Sequence, residues 1–138
     1  MRVLALGLML CLATPALADG TGLGALVNGF RADAGRAPFA ESRAATRAAE
    51  RHAADMTSRG FFSHQGSDGS TVGDRLARAG CRWTAVAENI AKGQHSAAEV
   101  VSAWAGSPGH RRNMLGRYTV YGVAQKGDVW VLVLGTGC

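Results

Sequence analysis

The sequence is poor in the residues that typify cross-linked, disordered or repetitive proteins. It contains only three cysteines and three prolines, and it has no internal repeat and no low-complexity segment. Charged residues make up 18% of the chain and hydrophobic residues 47%, a balance that excludes intrinsic disorder. A length of 138 residues accommodates one domain and excludes two. We therefore expect a single folded domain.

Several catalytic and binding motifs are also missing. The sequence contains no HExxH, no G-x-S-x-G and no CxxC, so zinc proteases, α/β-hydrolases and zinc fingers have no support. Ser63 precedes His64 directly, without a recognisable nucleophile turn. The formal net charge is +5, but the arginines are dispersed and no nucleic-acid-binding motif accompanies them. We expect no nucleic-acid partner.

The first 18 residues have the pattern of a secretory signal peptide. Arg2 precedes the apolar run Val3–Ala13, and the small residues Ala16 and Ala18 form an A-x-A cleavage signal before Asp19. The run is too short for a membrane span, which needs about 20 apolar residues. The sequence thus predicts a signal peptide over 1–18, one domain over 19–138, a secreted or periplasmic location and no stable membrane anchor.

Removal of the signal peptide leaves two cysteines. Cys11 is lost with it, whereas Cys81 and Cys138 remain in an oxidising compartment. We expect these two to form one disulfide, and two free thiols are the alternative.

Hydrophobic periodicity predicts helices first and strands last. Helical patterns cover residues 21–34, 41–58 and 71–79, and a further helix runs from Ser96 to near Gly106. Residues 118–124 and 129–134 are typical of two strands that form a hairpin. The prediction is an α+β fold with a mainly antiparallel, C-terminal sheet.

Some polar residues of the predicted helices have an evident structural role. His52 lies on an alanine-rich helix face and is expected to be a core histidine, and Glu99 completes a capping-box pattern. Arg43, Arg47 and Arg51 recur every four residues, either as a solvated stripe or as a patch for an anionic ligand.

A short helix is predicted to begin at Ser107. Serine followed by Pro108 fits an N-cap and the first helical position. His110 then lies in the first turn, where the helix dipole favours a neutral imidazole that can act as a ligand.

Together, several short motifs resemble the CAP superfamily of cysteine-rich secretory proteins, antigen 5 and pathogenesis-related proteins, in its short bacterial secreted branch. The motifs are Phe61-Phe62-Ser63-His64, Asp68-Gly69, Ala87-Glu88-Asn89-Ile90, Trp104, Ser107-Pro108-Gly109-His110 and the final hairpin. The resemblance implies a three-layer α-β-α sandwich over nearly the whole mature chain.

The resemblance also implies a cavity lined by two histidines and two glutamates, which holds a divalent metal in some members. His64, Glu88 and His110 match three of these positions, whereas Ser107 stands where the second glutamate is expected. Glu99 is eight residues from that position, too far along the helix to replace it. The set predicts at most a weakly bound cation such as zinc, with water completing the shell. The alternative is a buried hydrogen-bond cluster with a structural role.

From these features we expect a non-enzymatic module that binds an extracellular or cell-envelope ligand, and we assign no catalytic residue. Some members of the superfamily bind sterols or fatty acids, so a lipid is one ligand class that the resemblance implies. A metal-dependent hydrolase of envelope or extracellular polymers is the alternative, because two imidazoles and a carboxylate can form a catalytic zinc site. A small structural or toxin-like interaction protein is the third hypothesis.

The exported protein should begin at Asp19. Ala16 and Ala18 supply the small side chains that the signal peptidase site requires. The intact mass of the secreted form tests this, and a mass that still includes Met1 to Ala18 would contradict the predicted compartment.

Overall fold

A computed structural model describes residues 19–138, and the predicted signal peptide lies outside them. The helices are α1 (Leu23–Asp33), α2 (Arg43–Arg59), α3 (Val72–Arg78), α4 (Ala97–Ala105) and α5 (Pro108–Met114). The strands are β1 (Ala40–Glu41), β2 (Ala85–Lys92), β3 (Val120–Lys126) and β4 (Val129–Thr136). Within residues 19–138, no helix is long and apolar enough to cross a membrane.

The four strands form one sheet in the order β1-β3-β4-β2. β4 pairs antiparallel with both β2 and β3, whereas the two-residue β1 pairs parallel with β3. Strand β4 is rich in valine, leucine and tryptophan and is buried from Val129 to Gly135, as expected for a strand with helices on both faces. The predicted α+β class and mainly antiparallel sheet are confirmed.

The sequence analysis missed β2, which carries Glu88. Glutamate and asparagine are depleted in strands, and the alanines around them give no strand signal, so local pattern did not reveal it. Pairing with β4 along eight residue pairs overrides that weak propensity. The sheet is therefore less C-terminal than the prediction placed it.

Helices cover both faces of the sheet, so the predicted three-layer sandwich is confirmed. On one face, α2 and Leu76 of α3 pack with Ile90, Val131 and Val133. On the other face, α1, α4 and α5 pack with Trp130, Leu132 and other side chains of β3 and β4. Successive residues of a strand point to opposite faces, which explains how β4 supplies both cores.

The packing of α2 on the sheet is unusually close. Its buried face consists of four alanines, His52 and Met56, small enough for the helix to approach β3. At the contact, a Cβ atom added to Gly122 would overlap the backbone of Ala45 and Thr46. The absence of a side chain at Gly122 thus sets the distance between helix and sheet.

In the structure, the starts of α4 and α5 differ in detail from the capping that the sequence predicts. Ser107 occupies the N-cap position of α5, but its side chain makes no capping hydrogen bond. Ser96 caps α4 by accepting from the Glu99 N–H, while the Glu99 carboxylate accepts from the His95 N–H at 2.7 Å. The predicted capping box is therefore displaced by one residue, because Glu99 reaches the residue before the cap.

The loop after α2 is held by one phenylalanine rather than two. Phe61 packs against the core on the α2 face of the sheet. Phe62 is 46% exposed, so it does not anchor the loop in the core.

Cys81 and Cys138 form the predicted disulfide. Their Cα atoms lie 4.7 Å apart, and 57 positions separate them in sequence. Closing a loop of this length restricts the unfolded chain and contributes about 4 kcal/mol to stability. The bond fastens the residues after β4 to the segment that precedes β2.

Replacement of Gly122 should destabilise the protein. We expect Gly122→Ala to lower the free energy of unfolding by about 1–3 kcal/mol, because the added methyl forces α2 away from the sheet. Gly29→Ala is the matched control. Gly29 lies in helix α1, and a Cβ atom added there has no neighbouring atom within 4 Å, so this substitution should raise the free energy of unfolding by about 0.5–1 kcal/mol. Urea unfolding measures both, and equal effects of the two substitutions would contradict the proposed close contact.

Candidate functional site

The three predicted site residues come from three different elements around β2. His64 lies in the loop after α2, Glu88 in the middle of β2, and His110 in the first turn of α5. β2 is an edge strand of the sheet. Its free edge is therefore the place where residues from the two helical layers can meet.

Glu88 is a buried carboxylate whose two oxygens both accept hydrogen bonds. Oε1 lies 2.9 Å from His64 Nδ1, and Oε2 accepts from Arg75 Nη2 at 2.8 Å. Only 2% of the Glu88 side chain is exposed, compared with 60% of the His64 side chain. Such a carboxylate is stabilised by charge-assisted hydrogen bonds and has little contact with solvent.

Arg75 is the functional residue that the sequence analysis missed. Besides Glu88, its guanidinium donates to the carbonyl oxygens of Ser70 at 2.8 Å and His64 at 2.9 Å. It lies three residues after Val72 and beside Leu76, on the face of α3 expected to be buried. An arginine on an inward face was the available signal, because a buried arginine requires a partner.

His52 is the core histidine that its position on α2 predicted. It is completely buried, and Nε2 donates to the Ser63 carbonyl oxygen at 2.7 Å. The same nitrogen lies 3.7 Å from Glu88 Oε1. Burial nevertheless lowers the pKa of His52 and keeps the imidazole neutral, so it contributes no positive charge beside Glu88.

Asn89, the neighbour of Glu88 in β2, contacts the α5 side of the site. Its side-chain amide donates to the backbone carbonyl oxygen of His110 at 3.0 Å and accepts from Asn113 at 2.9 Å. Asn89 is fully buried, and the ring of His110 lies 6.2 Å from that of Trp104. These contacts fix the start of α5 relative to β2.

The two candidate histidines differ in protonation. The hydrogen bond to Glu88 raises the pKa of His64, whereas burial and the neighbouring charge of His64 lower the pKa of His110. At a given pH, His64 is therefore protonated to a greater extent than an ordinary histidine, and His110 to a lesser extent.

The donor set does not fit the divalent metal that the resemblance implies for some members. A cation bound to Glu88 would have to lie beside the positive guanidinium of Arg75, at a side chain that is only 2% exposed. Within residues 19–138, no three histidine, cysteine, aspartate or glutamate side chains are arranged to hold a metal ion. Ser107 supplies only a hydroxyl, and Glu99 is engaged at the start of α4.

The sequence is similar to that of a known bacterial protein. The protein YkwD of Bacillus subtilis is 33% identical over 108 residues, which cover 76% of this chain and 42% of YkwD. This chain thus spans less than half the length of that relative.

Solved structures of bacterial proteins have the same fold as this chain. An extracellular SCP-domain protein of Bacillus anthracis superimposes with a TM-score of 0.80 and 27% identity, covering 83% of this chain and 39% of its own. An outer surface protein of Borrelia burgdorferi shares the fold, with a TM-score of 0.78 and 19% identity over 84% of this chain and 90% of its own. Residues 25–129 match the sequence pattern of the cysteine-rich secretory protein family. The chain therefore belongs to the CAP family of cysteine-rich secretory proteins.

Proposed function

We propose that this protein is a secreted CAP-domain module that binds an extracellular or cell-envelope ligand without turning it over. Two similar solved proteins are described as extracellular or as an outer surface protein, which supports this location. The ligand contacts the surface beside β2, the edge strand of the sheet, where His64 lies in the loop after α2 and His110 in the first turn of α5.

The state of Glu88 carries the proposal. A metal-dependent hydrolase at this site would need Glu88 to be free to act as a general base or as a metal ligand. Glu88 is buried, and both of its oxygens accept hydrogen bonds from Arg75 and His64. It therefore orients His64 and leaves the chemistry of recognition to the two imidazoles.

The imidazoles offer complementary hydrogen-bonding groups. His64 donates from Nδ1 to Glu88, and its raised pKa increases the fraction of rings in which Nε2 also carries a proton and can donate. His110 is half-buried, and its lowered pKa keeps one ring nitrogen free to accept. A polar ligand group that both donates and accepts, such as a hydroxyl, fits this pair.

A metal-dependent hydrolase of envelope polymers is the second candidate. The observation in its favour is that His64 contacts Glu88 at the edge strand, while His110 lies in α5, the helix whose start is bonded to the next residue of that strand. The hydrolase hypothesis requires Glu88 to leave its ion pair with Arg75. It predicts that soluble fragments of the envelope polymer accumulate.

Substitution of either histidine should weaken binding. We expect His64→Ala or His110→Ala to reduce the affinity for bacterial cell-envelope fragments about tenfold, because each removes one hydrogen bond to the ligand. Co-sedimentation of the purified protein measures this affinity. His95→Ala is the matched control, since His95 is exposed near the start of α4, away from the predicted site.

Two outcomes would contradict the binding module. Unchanged affinity in both variants would exclude the edge of β2 as the binding site. Release of soluble fragments that stops in His110→Ala would instead support the hydrolase.

The His64–Glu88 pair should make stability depend on pH. Because the pKa of His64 is raised in the folded protein, its contribution is fully present below the ordinary value of about 6.5 and decreases as the pH rises through the raised pKa. The wild type should therefore lose its stability advantage over His64→Gln as the solution becomes alkaline. Unfolding curves at several pH values measure this difference, and an advantage that grows with pH would contradict the pairing.

A further inference from the structure

An open groove beside α5, which we call the arginine groove, is lined by four basic residues. Its volume is about 550 Å³, and Pro108, Leu115 and Gly116 complete its lining. The basic residues come from the loop after α1, from α5 and from the segment after α5, and they are Arg36, Arg111, Arg112 and Arg117. His64 and His110 do not line the groove, so it is separate from the proposed binding site beside β2.

The arginine groove carries charge of one sign. Among residues 19–138, no aspartate or glutamate lines it, and none of its four arginines forms an ion pair. On the opposite face of the sheet, by contrast, Arg59, Arg75 and Arg78 each pair with a carboxylate. All four arginines of the groove are exposed, so their positive charge is open to a partner in solution.

A fifth arginine is buried behind the groove. Arg31 is 4% exposed and has no carboxylate partner in the described part of the chain. It donates instead to backbone carbonyl oxygens, from Nη1 to Met114 at 2.7 Å and Gly116 at 2.9 Å, and from Nε to Ala37 at 2.8 Å. Burial and the charge of Arg36 lower the pKa of Arg31, but a guanidinium stays charged at neutral pH. Its charge therefore adds to the positive potential of the groove.

The hydrogen bonds of Arg31 also hold two parts of the groove in fixed relative positions. Ala37 follows Arg36 directly in the chain, and Gly116 directly precedes Arg117. One buried guanidinium thus fastens the backbone beside both exposed arginines. Because this backbone is already ordered, less conformational entropy is lost when an anion binds.

The chemistry of the groove favours phosphate groups. All of its basic residues are arginines, and the planar guanidinium binds phosphate through two parallel hydrogen bonds. A tetrahedral phosphate can also bridge two neighbouring guanidinium groups, which a planar carboxylate does less well. Four such groups along one groove match an anion that repeats its charge, as a polymer does.

The side chains around the arginines distinguish between classes of phosphate-bearing partner. The exposed large apolar residues of the described chain are Leu26, Phe62 and Trp83, and none of them lines the groove. Surfaces that enter a lipid bilayer combine cations with apolar anchors, so the groove does not suit a membrane. No aromatic residue among 19–138 lines it either, whereas proteins that bind single-stranded nucleic acids stack the bases on aromatic rings.

We propose that the arginine groove binds a phosphodiester polymer of the cell envelope, such as a poly(glycerol phosphate) chain. Successive phosphate groups accept hydrogen bonds from successive guanidinium groups along the groove. The surface beside β2 stays open while the polymer is bound, so the groove holds the protein at the envelope without competing for that site.

The proposal is tested by fluorescence anisotropy of labelled poly(glycerol phosphate) with the purified protein at neutral pH. We expect saturable binding whose logarithmic affinity decreases with the logarithm of the salt concentration. The slope should be about −3, because each of four phosphate contacts contributes about 0.7, as in single-stranded nucleic acids.

Three unlabelled competitors, each compared with the unlabelled polymer at equal total charge, test the class of partner. Phosphatidylglycerol vesicles present the same glycerol phosphodiester in a plane, oligothymidylate presents it with bases, and polyglutamate replaces phosphate by carboxylate. We expect each of them to compete less well than poly(glycerol phosphate). A better competitor would assign the groove to a membrane surface, a nucleic acid or an acidic peptide, respectively, and would overturn the proposal.

Two double variants with the same change in net charge provide the matched comparison. Arg112→Gln with Arg117→Gln should weaken binding at least tenfold and reduce the salt slope to about half, because two phosphate contacts are lost. Arg43→Gln with Arg51→Gln, on α2 at the opposite face of the sheet, should leave the slope unchanged. All four side chains are exposed, so neither variant should unfold.

Equal losses in the two double variants would show attraction by net charge alone and would overturn the proposal, as would an absence of saturation. His64→Ala with His110→Ala should bind the polymer as the wild type does. This control separates the arginine groove from the function proposed for the surface beside β2, since either can fail without the other.

Discussion

The buried carboxylate of Glu88 constrains the structure around it more than any other group. A charge in the protein interior is tolerated only when hydrogen bonds and an opposite charge replace its hydration. Arg75 supplies the opposite charge from α3, and His64 supplies a further hydrogen bond from the loop after α2. The positions of α3, the loop after α2 and β2 are thus coupled through a single side chain.

The next residue of β2 extends this coupling to the other helical layer. Because neighbouring residues of a strand face opposite sides, Glu88 points toward α2 and α3 while Asn89 points toward α5. Asn89 donates to the backbone carbonyl oxygen of His110, so this contact does not involve the imidazole ring of His110. Two consecutive polar residues therefore connect both layers at one edge of the sheet, through the ring of His64 on one side and the backbone of His110 on the other.

Sequence reasoning worked where local pattern and tertiary structure agree. The alanine face of α2, the burial of His52, the C-terminal hairpin and the Cys81–Cys138 bond were all predicted. β2 was missed because its stability comes from pairing with β4, not from its own residues. Arg75 was missed because its role depends on its ion pair with Glu88, thirteen positions away in the sequence. Hydrophobic periodicity carries no information about which charged side chains pair. The motif resemblance located His64, Glu88 and His110, but only the geometry indicates that Glu88 is fully engaged.

The central position of β4 also has a consequence for the order of folding. β2 and β3 do not pair with each other, and each depends on β4, the last strand in chain order. A chain that emerges with its N-terminus first can form helices early, yet its sheet lacks the middle strand until Val129 and the residues after it appear. Long-range pairing of this kind is slow to form. The emerging polypeptide therefore has no closed core until β4 has appeared, and up to that point it remains an open chain.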